Sequence, residues 1–247
     1  MKTLLDRTES TQLDLKKAYQ EALGELPSGS SVQALEQAAG RGRQGRVWTS
    51  PLGGLYLSVL LKGLFAQPTW IPHFVAVSVC EALLSFGISG ERLKIKWPND
   101  LMIDGSKKLC GILCEKNGDA VFAGIGLNVA KTPEGLDREV ISLKELGFRD
   151  LEILKSPFPA LRDAIILNLS QPFDLETVKK TYATHSLFQP GEMIYWEDVS
   201  HPRVRHGIFL SYGEFGEMKI SEILTDGTTS EQELFSEEVH LRLDKSS

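Results

Sequence analysis

The chain has 247 residues, 42% of them hydrophobic and 24% charged, with a formal net charge of -6. That length supports one large domain, or a large and a small one, around a substantial core, and the acidic balance excludes a global field that gathers nucleic acid. No apolar run of membrane length occurs, and Met1–Gly24 is broken by Lys2, Asp6, Arg7 and Glu9, so neither a membrane span nor a signal peptide is expected and the expected location is cytoplasmic.

Thr11-Gln12-Leu13-Asp14 has the form of a capping box, and Leu15, Ala18, Tyr19, Ala22 and Leu23 follow at helical spacing up to a stop at Gly24. Ser10 and Thr11 are therefore expected at a helix N-terminus, where hydroxyls and free N–H groups either cap the helix or bind a polar ligand. Residues 27–31 read as a turn and Ser31–Gln37 as a strand leading into Gly40-Arg41-Gly42-Arg43-Gln44-Gly45-Arg46-Val47-Trp48. Three guanidiniums alternate there with three glycines, and an indole closes the run. Glycine lets backbone N–H groups close on an anion, and arginine adds permanently charged, bidentate donors. The run reads as a flexible clamp for an activated phosphate compound; a hydrated basic turn and an arginine-rich RNA-binding loop are the readings left open beside it.

Gly54–Leu61 is a strand pattern, and Pro68–Phe86 carries apolar residues at Ile71, Phe74, Val75, Val79, Ala82, Leu83 and Phe86, a buried helix ended by Gly87. Leu93, Ile95 and Trp97 then alternate with Lys94 and Lys96, which places both lysines on one face of a strand. Pro98-Asn99-Asp100 must interrupt that strand. Leu101–Ile103, Leu109–Glu115 and Ala120–Val129 are further strands, with hairpin turns at Asp104-Gly105 and Asn117-Gly118. Leu161–Leu169 and Leu175–Tyr182 look helical. After His185 the texture changes to short β-rich segments, Met193–Trp196, Val204–Tyr212, Glu217–Leu224 and Val239–Leu243, between turns. The expected fold is α+β. A mixed, largely antiparallel sheet with helices on one face occupies residues 1–185, and a small SH3-like β-barrel occupies residues 186–247.

Cys80, Cys110 and Cys114 give no disulfide framework or zinc site. Cys110 and Cys114 share a strand, where four residues span about 13 Å, too far for a bond or a shared metal. Buried, inert thiols are expected. The five histidines show no metal spacing and receive no catalytic role.

Two further groups join the arginine run. Lys96-Trp97-Pro98-Asn99-Asp100 puts an ammonium, an amide and a carboxylate at one strand end, and Lys107-Lys108 open the next long strand. Taken singly each lysine reads as a surface charge; together with the arginines they would surround an ATP-derived anion, with Asp100 placed to position Mg²⁺. Gly111, Gly124 and Gly126 read either as bulges or as places where a ligand touches the backbone.

At these residues the chain resembles the biotin protein ligases. The similarity runs through Glu9-Ser10-Thr11-Gln12, Gln37 to Trp48, Leu55-Tyr56-Leu57-Ser58, Lys96 to Asp100, Lys108 to Glu115 and Gly124 to Val129, and extends to Ser142-Leu143-Lys144-Glu145. The resemblance implies a two-step reaction with biotin and Mg·ATP as substrates, through biotinyl-5′-adenylate to an amide on a lysine of a biotin carboxyl carrier domain of a biotin-dependent carboxylase. It assigns Ser10, Thr11, Gln12 and Gln37 to the biotin ring system, and Arg41, Gly42 and Arg43 to the biotin carboxyl and the adenylate phosphate. It places Lys108 at the carboxylate–phosphate junction, with Lys96 assisting; Lys108, Arg43 and Lys96 form the implied catalytic set. Trp48, Asn99, Asp100 and Asn128 are implied on the nucleotide, Asp100 also as a metal ligand.

Some relatives carry an N-terminal DNA-binding winged helix-turn-helix. Here the Ser-Thr motif starts at residue 10, so the chain resembles the catalytic-only form, with no DNA or membrane partner expected and room left for a homodimer. Glu237 stands where the family's closing strand usually has glycine, which puts that turn in question. The competing readings are a lipoate or octanoate ligase-like acyltransferase and a non-catalytic biotin-binding homologue.

Overall fold

Seven strands form the main sheet: β1 (Lys2–Thr8), β2 (Ser31–Gln37), β3 (Gly54–Lys62), β4 (Leu93–Lys96), β5 (Asp100–Ile103), β6 (Lys107–Asn117) and β7 (Ala120–Asn128). Their spatial order is β1-β2-β3-β7-β6-β5-β4. The structure is a computed structural model and describes the chain apart from residues 64–66, 137, 149–154, 200–202, 237–238 and 243–247. All neighbouring pairs are antiparallel except β1 with β2, which run parallel. Strand β1 has no fully buried residue, so apolar periodicity gave no sign of it; backbone pairing to β2 at the sheet edge holds it. The interruption at Pro98-Asn99 proves to be a hairpin turn, with Lys96 pairing across it to Asp100.

Four helices, α1 (Thr11–Glu21), α2 (Ile71–Ser85), α3 (Pro159–Leu169) and α4 (Leu175–His185), pack on this sheet. Strand alternation shows on which face each lies. Leu55, Leu57, Val59 and Leu61 of β3, with Val121, Ala123, Ile125 and Leu127 of β7, share the main core with α2, α3 and α4. The intervening Leu60, Ala120 and Phe122 join Leu15 of α1 and Val32 in a second, smaller core. Three helices thus cover one face as expected, while α1 lies on the other.

The capping box at Thr11 does not form. Ser10 is the N-cap and its side chain makes no capping bond. Thr11 Oγ1 is engaged with Gln37 and Ser58, and Asp14 Oδ2 accepts a bond of 2.5 Å from Thr8 Oγ1. The reciprocal pattern occurs instead at Ser142 and Glu145. Glu145 Oε2 accepts from Ser142 N and Oγ at 2.9 and 2.8 Å, while Glu145 N donates to Ser142 Oγ at 3.2 Å.

The C-terminal strands β8 (Met193–Asp198), β9 (Val204–Tyr212), β10 (Met218–Ile223), β11 (Thr229–Leu234) and β12 (Val239–Arg242) form an antiparallel sheet ordered β11-β10-β9-β8-β12. The expected barrel takes this form, and its edge strands do not pair with each other among the described residues. Strand β11, almost wholly polar, carried no strand signal in the sequence. Among the described residues the sheet shares the main core: Ile194, Trp196, Phe209, Met218 and Ile220 belong to the same cluster as Trp70, Trp97 and Tyr182. Trp70 Nε1 donates to the Glu214 carbonyl and Trp97 Nε1 to that of Gly216, each at 2.7 Å. Ser186 is bridged to Ile95 of β4, and its Oγ lies 2.6 Å from the Tyr212 hydroxyl.

His73 fills the centre of this junction, 3% exposed, its ring centroid 4.6 Å from those of Trp70 and Tyr182. A Cβ on Gly216, where φ is +82°, would lie 2.6 Å from His73 Cε1, so only glycine fits there. Burial lowers the His73 pKa to about 3, against about 6.5 in an unfolded chain. The unfolded state therefore takes up a proton below about pH 6.5 that the folded state refuses. This contribution to stability is complete above that pH and declines towards pH 3 by up to about 1.4 kcal/mol per unit. Urea unfolding at pH 7, 6, 5 and 4 is expected to show this slope, and His73→Gln, which cannot titrate, to flatten it.

Cys80 and Cys110 are buried, Cys114 is half-buried, and none is bonded. Burial pushes the Cys80 and Cys114 thiols up to about 12, so they stay protonated. No helix among the described residues is long and apolar enough to cross a membrane.

Candidate functional site

A cleft opens on the α1 face of the sheet, where β7 passes from Ala120 and Phe122 to Gly124 and Gly126. These four positions share a face, so the glycines remove the side chains that would otherwise fill it. Gly126 pairs with Gly111 of β6. The Trp48 indole lies across the pair: a Cβ on Gly126 would sit 2.3 Å from Trp48 Nε1, and one on Gly111 2.8 Å from Trp48 Cζ3. Trp48 Nε1 is buried without a hydrogen-bond partner among the described residues.

One end of the cleft is neutral and polar. Gln37 Oε1 accepts from Thr11 N at 2.9 Å and Thr11 Oγ1 at 3.1 Å; Thr11 Oγ1 lies 2.8 Å from Ser58 Oγ; Gln37 Nε2 donates to Ser50 Oγ at 2.9 Å. Gln12 Nε2 donates to the Phe122 carbonyl at 2.9 Å, and Ser10 completes this end. Thr11, Gln12, Gln37 and Ser58 are each fixed by a second group, so this part of the hydrogen-bonding pattern is set before a ligand arrives.

The other end is cationic, and a bulge creates it. Leu101 of β5 pairs with Cys110 of β6, but Met102 pairs with Lys108, leaving Leu109 as the extra residue. Leu109 and Cys110 both lie in the main core, so Lys108 and Gly111 emerge together on the cleft side. Lys108 Nζ donates to Asp100 Oδ2 at 2.6 Å and stands 5.3 Å from the Trp48 ring centroid. Lys96 Nζ donates to the Leu241 carbonyl of β12 at 3.1 Å. Burial lowers the Lys96 pKa; Asp100 raises it, and the charges of Lys108, Arg46 and Arg138 lower it further.

The arginine run is an ordered hairpin. Arg41 bridges Val47, Gly42 N donates to the Arg46 carbonyl at 2.7 Å, and Trp48 N donates to the Gly40 carbonyl at 2.9 Å. Its tip turns at Gln44 and Gly45, with φ of +55° and +72°. Arg43 Nη2 donates to the Ser236 carbonyl, so the C-terminal sheet reaches the clamp as well as Lys96.

Ser10, Thr11, Gln12, Gln37, Arg41, Gly42, Arg43, Trp48, Lys96, Asn99, Asp100 and Lys108 all line this one cleft. Asn128 does not: it is 1% exposed and its Nδ2 donates to the Ile141 carbonyl at 3.3 Å, behind the lining. Asn99, 4% exposed, donates Nδ2 to the Ile112 carbonyl and so shapes the turn beside Asp100. Glu237 lies outside the described residues. Sequence reasoning missed Ser58, Arg138, and the carbonyls of Ser236 and Leu241. A serine within the apolar run Leu55–Leu61 was a usable signal for the first; backbone carbonyls leave none. No cluster of three His, Cys, Asp or Glu suited to a resident metal occurs among the described residues. The cleft suits an elongated molecule with an uncharged polar head, a short apolar middle and an anionic tail that meets phosphate.

Residues 4–130 match the family described as the Biotin/lipoate A/B protein ligase family. The biotin--[acetyl-CoA-carboxylase] ligase of Paracoccus denitrificans is 39% identical over 140 residues, 53% of this chain and 55% of that one. The bifunctional ligase/repressor BirA of Escherichia coli is 40% identical over 116 residues, 44% of this chain and 35% of that one. The chain thus spans about half the length, or less, of these curated relatives. Among solved structures, the biotin protein ligase from Aquifex aeolicus in complex with biotin and ATP superposes with a TM-score of 0.76 at 29% identity, covering 98% of each chain. That from Leishmania major in complex with biotinyl-5-AMP gives 0.66 at 25% identity, covering 94% of this chain and 98% of the other.

Proposed function

We propose, from the premise that this chain belongs to the biotin/lipoate A/B protein ligase family, that it is an ATP-dependent biotin protein ligase. In the first step a biotin carboxylate oxygen attacks the α-phosphorus of ATP. An O–P bond forms, the bond to the β-phosphate oxygen breaks, and pyrophosphate leaves with the electron pair. In the second step a lysine amine of a biotin carboxyl carrier domain attacks the acyl carbon; AMP leaves and the amine loses its proton. The name of the Paracoccus relative supports a carrier domain of a carboxylase as acceptor. The reaction belongs in the cytoplasm and needs no DNA or membrane partner.

The observation that carries this reading is the layout of the cleft. Thr11, Gln12, Gln37 and Ser58 present a fixed neutral network to a ring with its own donors and acceptors. The Trp48 indole, seated on Gly111 and Gly126, gives the middle of the cleft an apolar wall for an aliphatic chain, and Lys108, Lys96, Arg41 and Arg43 meet the carboxylate and the phosphate. A dithiolane or octanoyl tail would leave the polar end unanswered, which is how such a site rejects a competitor. Mg²⁺ enters as part of the Mg·ATP substrate. Asp100, paired with Lys108 at 2.6 Å and the one carboxylate among the described lining residues, would be the group that holds it.

Biotin-dependent exchange of pyrophosphate into ATP, run beside lipoate and octanoate, tests the proposal. Exchange with biotin alone is expected. Exchange with lipoate but not biotin would make the chain a lipoate ligase, and tight biotin binding without exchange would make it a sequestering homologue.

A further inference from the structure

Arg138 lies beyond the residues matched to the family and outside every motif in the sequence, yet it lines the cleft. Its segment is fixed against the start of β6. Lys108 N donates to the Glu139 carbonyl at 3.0 Å, Ile141 N donates to the Lys108 carbonyl at 3.1 Å, and Val140 bridges Lys108 in parallel. Asn128 fastens the same segment through the Ile141 carbonyl. Ser106 Oγ holds the neighbouring Glu139 carboxylate at 3.0 Å. Arg138 itself makes no hydrogen bond or ion pair with another described residue. Its guanidinium is exposed to solvent and near enough to Lys96 to act on that ammonium's charge.

The cations of the cleft outnumber its carboxylates. Asp100 is the one acid among the described lining residues, and Lys108 already engages it. A carboxylate and a single α-phosphate, meeting at Lys108, do not require so many positive groups; a triphosphate does. Arg138 is anchored beside Lys108 but opens to solvent, the side from which a first product must leave. We infer that Arg138 binds the β- and γ-phosphates of ATP and holds the departing pyrophosphate as the bond to the α-phosphorus breaks. The role rests on the cleft being an adenylating site. Arginine suits it because a planar fork grips two phosphate oxygens at once.

Arg138→Ala and Arg138→Lys are to be compared with the unaltered chain in two assays. In biotin-dependent exchange, Arg138→Ala is expected to raise the apparent KM for ATP about tenfold and leave the KM for biotin and the Tm unchanged, while Arg138→Lys recovers most of the loss. Calorimetry with inorganic pyrophosphate is expected to show a parallel weakening. Values within twofold of the unaltered chain in both assays overturn the inference. If the unaltered chain shows no biotin-dependent exchange, the proposed function falls, and the pyrophosphate titration still decides whether Arg138 is a phosphate ligand.

Discussion

Lys108→Ala is expected to slow single-turnover adenylate formation by about 10²–10³-fold, the usual cost of removing one preorganised group aimed at developing charge. The bulge at Leu109 puts Nζ on the cleft side, next to Gly111 and the Trp48 face, where two anions have to approach each other. Without it the Asp100 carboxylate stands in the cleft with no ammonium at 2.6 Å, adding repulsion to the lost attraction. The side chain leaves the sheet away from the core, so the Tm is expected to change little. Lys108→Arg keeps the charge and is expected to recover part of the rate. An unchanged adenylation rate in Lys108→Ala would return this lysine to the status of a surface charge.

Truncation after His185 is expected to abolish cooperative folding. From the sequence alone, residues 1–185 contain the clamp and both lysines and look like a self-sufficient piece. The structure instead shows a single core crossing that boundary. Removing residues 186–247 uncovers Trp70, Trp97 and Tyr182, now 1%, 4% and 0% exposed, together with His73. At about 1.5–3 kcal/mol for each large side chain, the loss approaches the whole stability of an ordinary domain, about 5–15 kcal/mol. It also strips the Leu241 carbonyl from Lys96 and the Ser236 carbonyl from Arg43. A thermal melt and biotin titration of residues 1–185 check this; a sharp melt with undiminished biotin affinity would show that the C-terminal sheet is dispensable.

Legibility in the sequence followed physical cause. Apolar runs revealed β3 and β7 almost to the residue and alternation revealed β4, while Asp104-Gly105 and Asn117-Gly118 marked the turns on either side of β6 because positive φ leaves few residue choices. The arginine run and the Lys96–Asp100 turn were legible because charge and glycine are costly to place without purpose. Edge strands β1 and β11 were not, since they are held by backbone bonds and need no apolar face. The bulge at Leu109 was equally silent: counting by twos from Lys108 puts Gly111 on the wrong side, and only pairing with β5 corrects it. Asn128 sat inside a recognisable motif yet holds the Ile141 segment, whereas Arg138 sat in none and lines the cleft. Both depend on a contact between β6 and residues 138–141 that no local pattern encodes.

The four indoles of this chain divide unevenly between its interior and its cleft. Trp70, Trp97 and Trp196 are 1%, 4% and 0% exposed, whereas Trp48 is half-buried, seated on Gly111 and Gly126. The native polypeptide is therefore its own optical reporter. Acrylamide should extinguish the emission of one tryptophan and leave three untouched, and anything that settles against that indole should shield it, so occupancy of the cleft can be read in the unlabelled protein without following turnover at all.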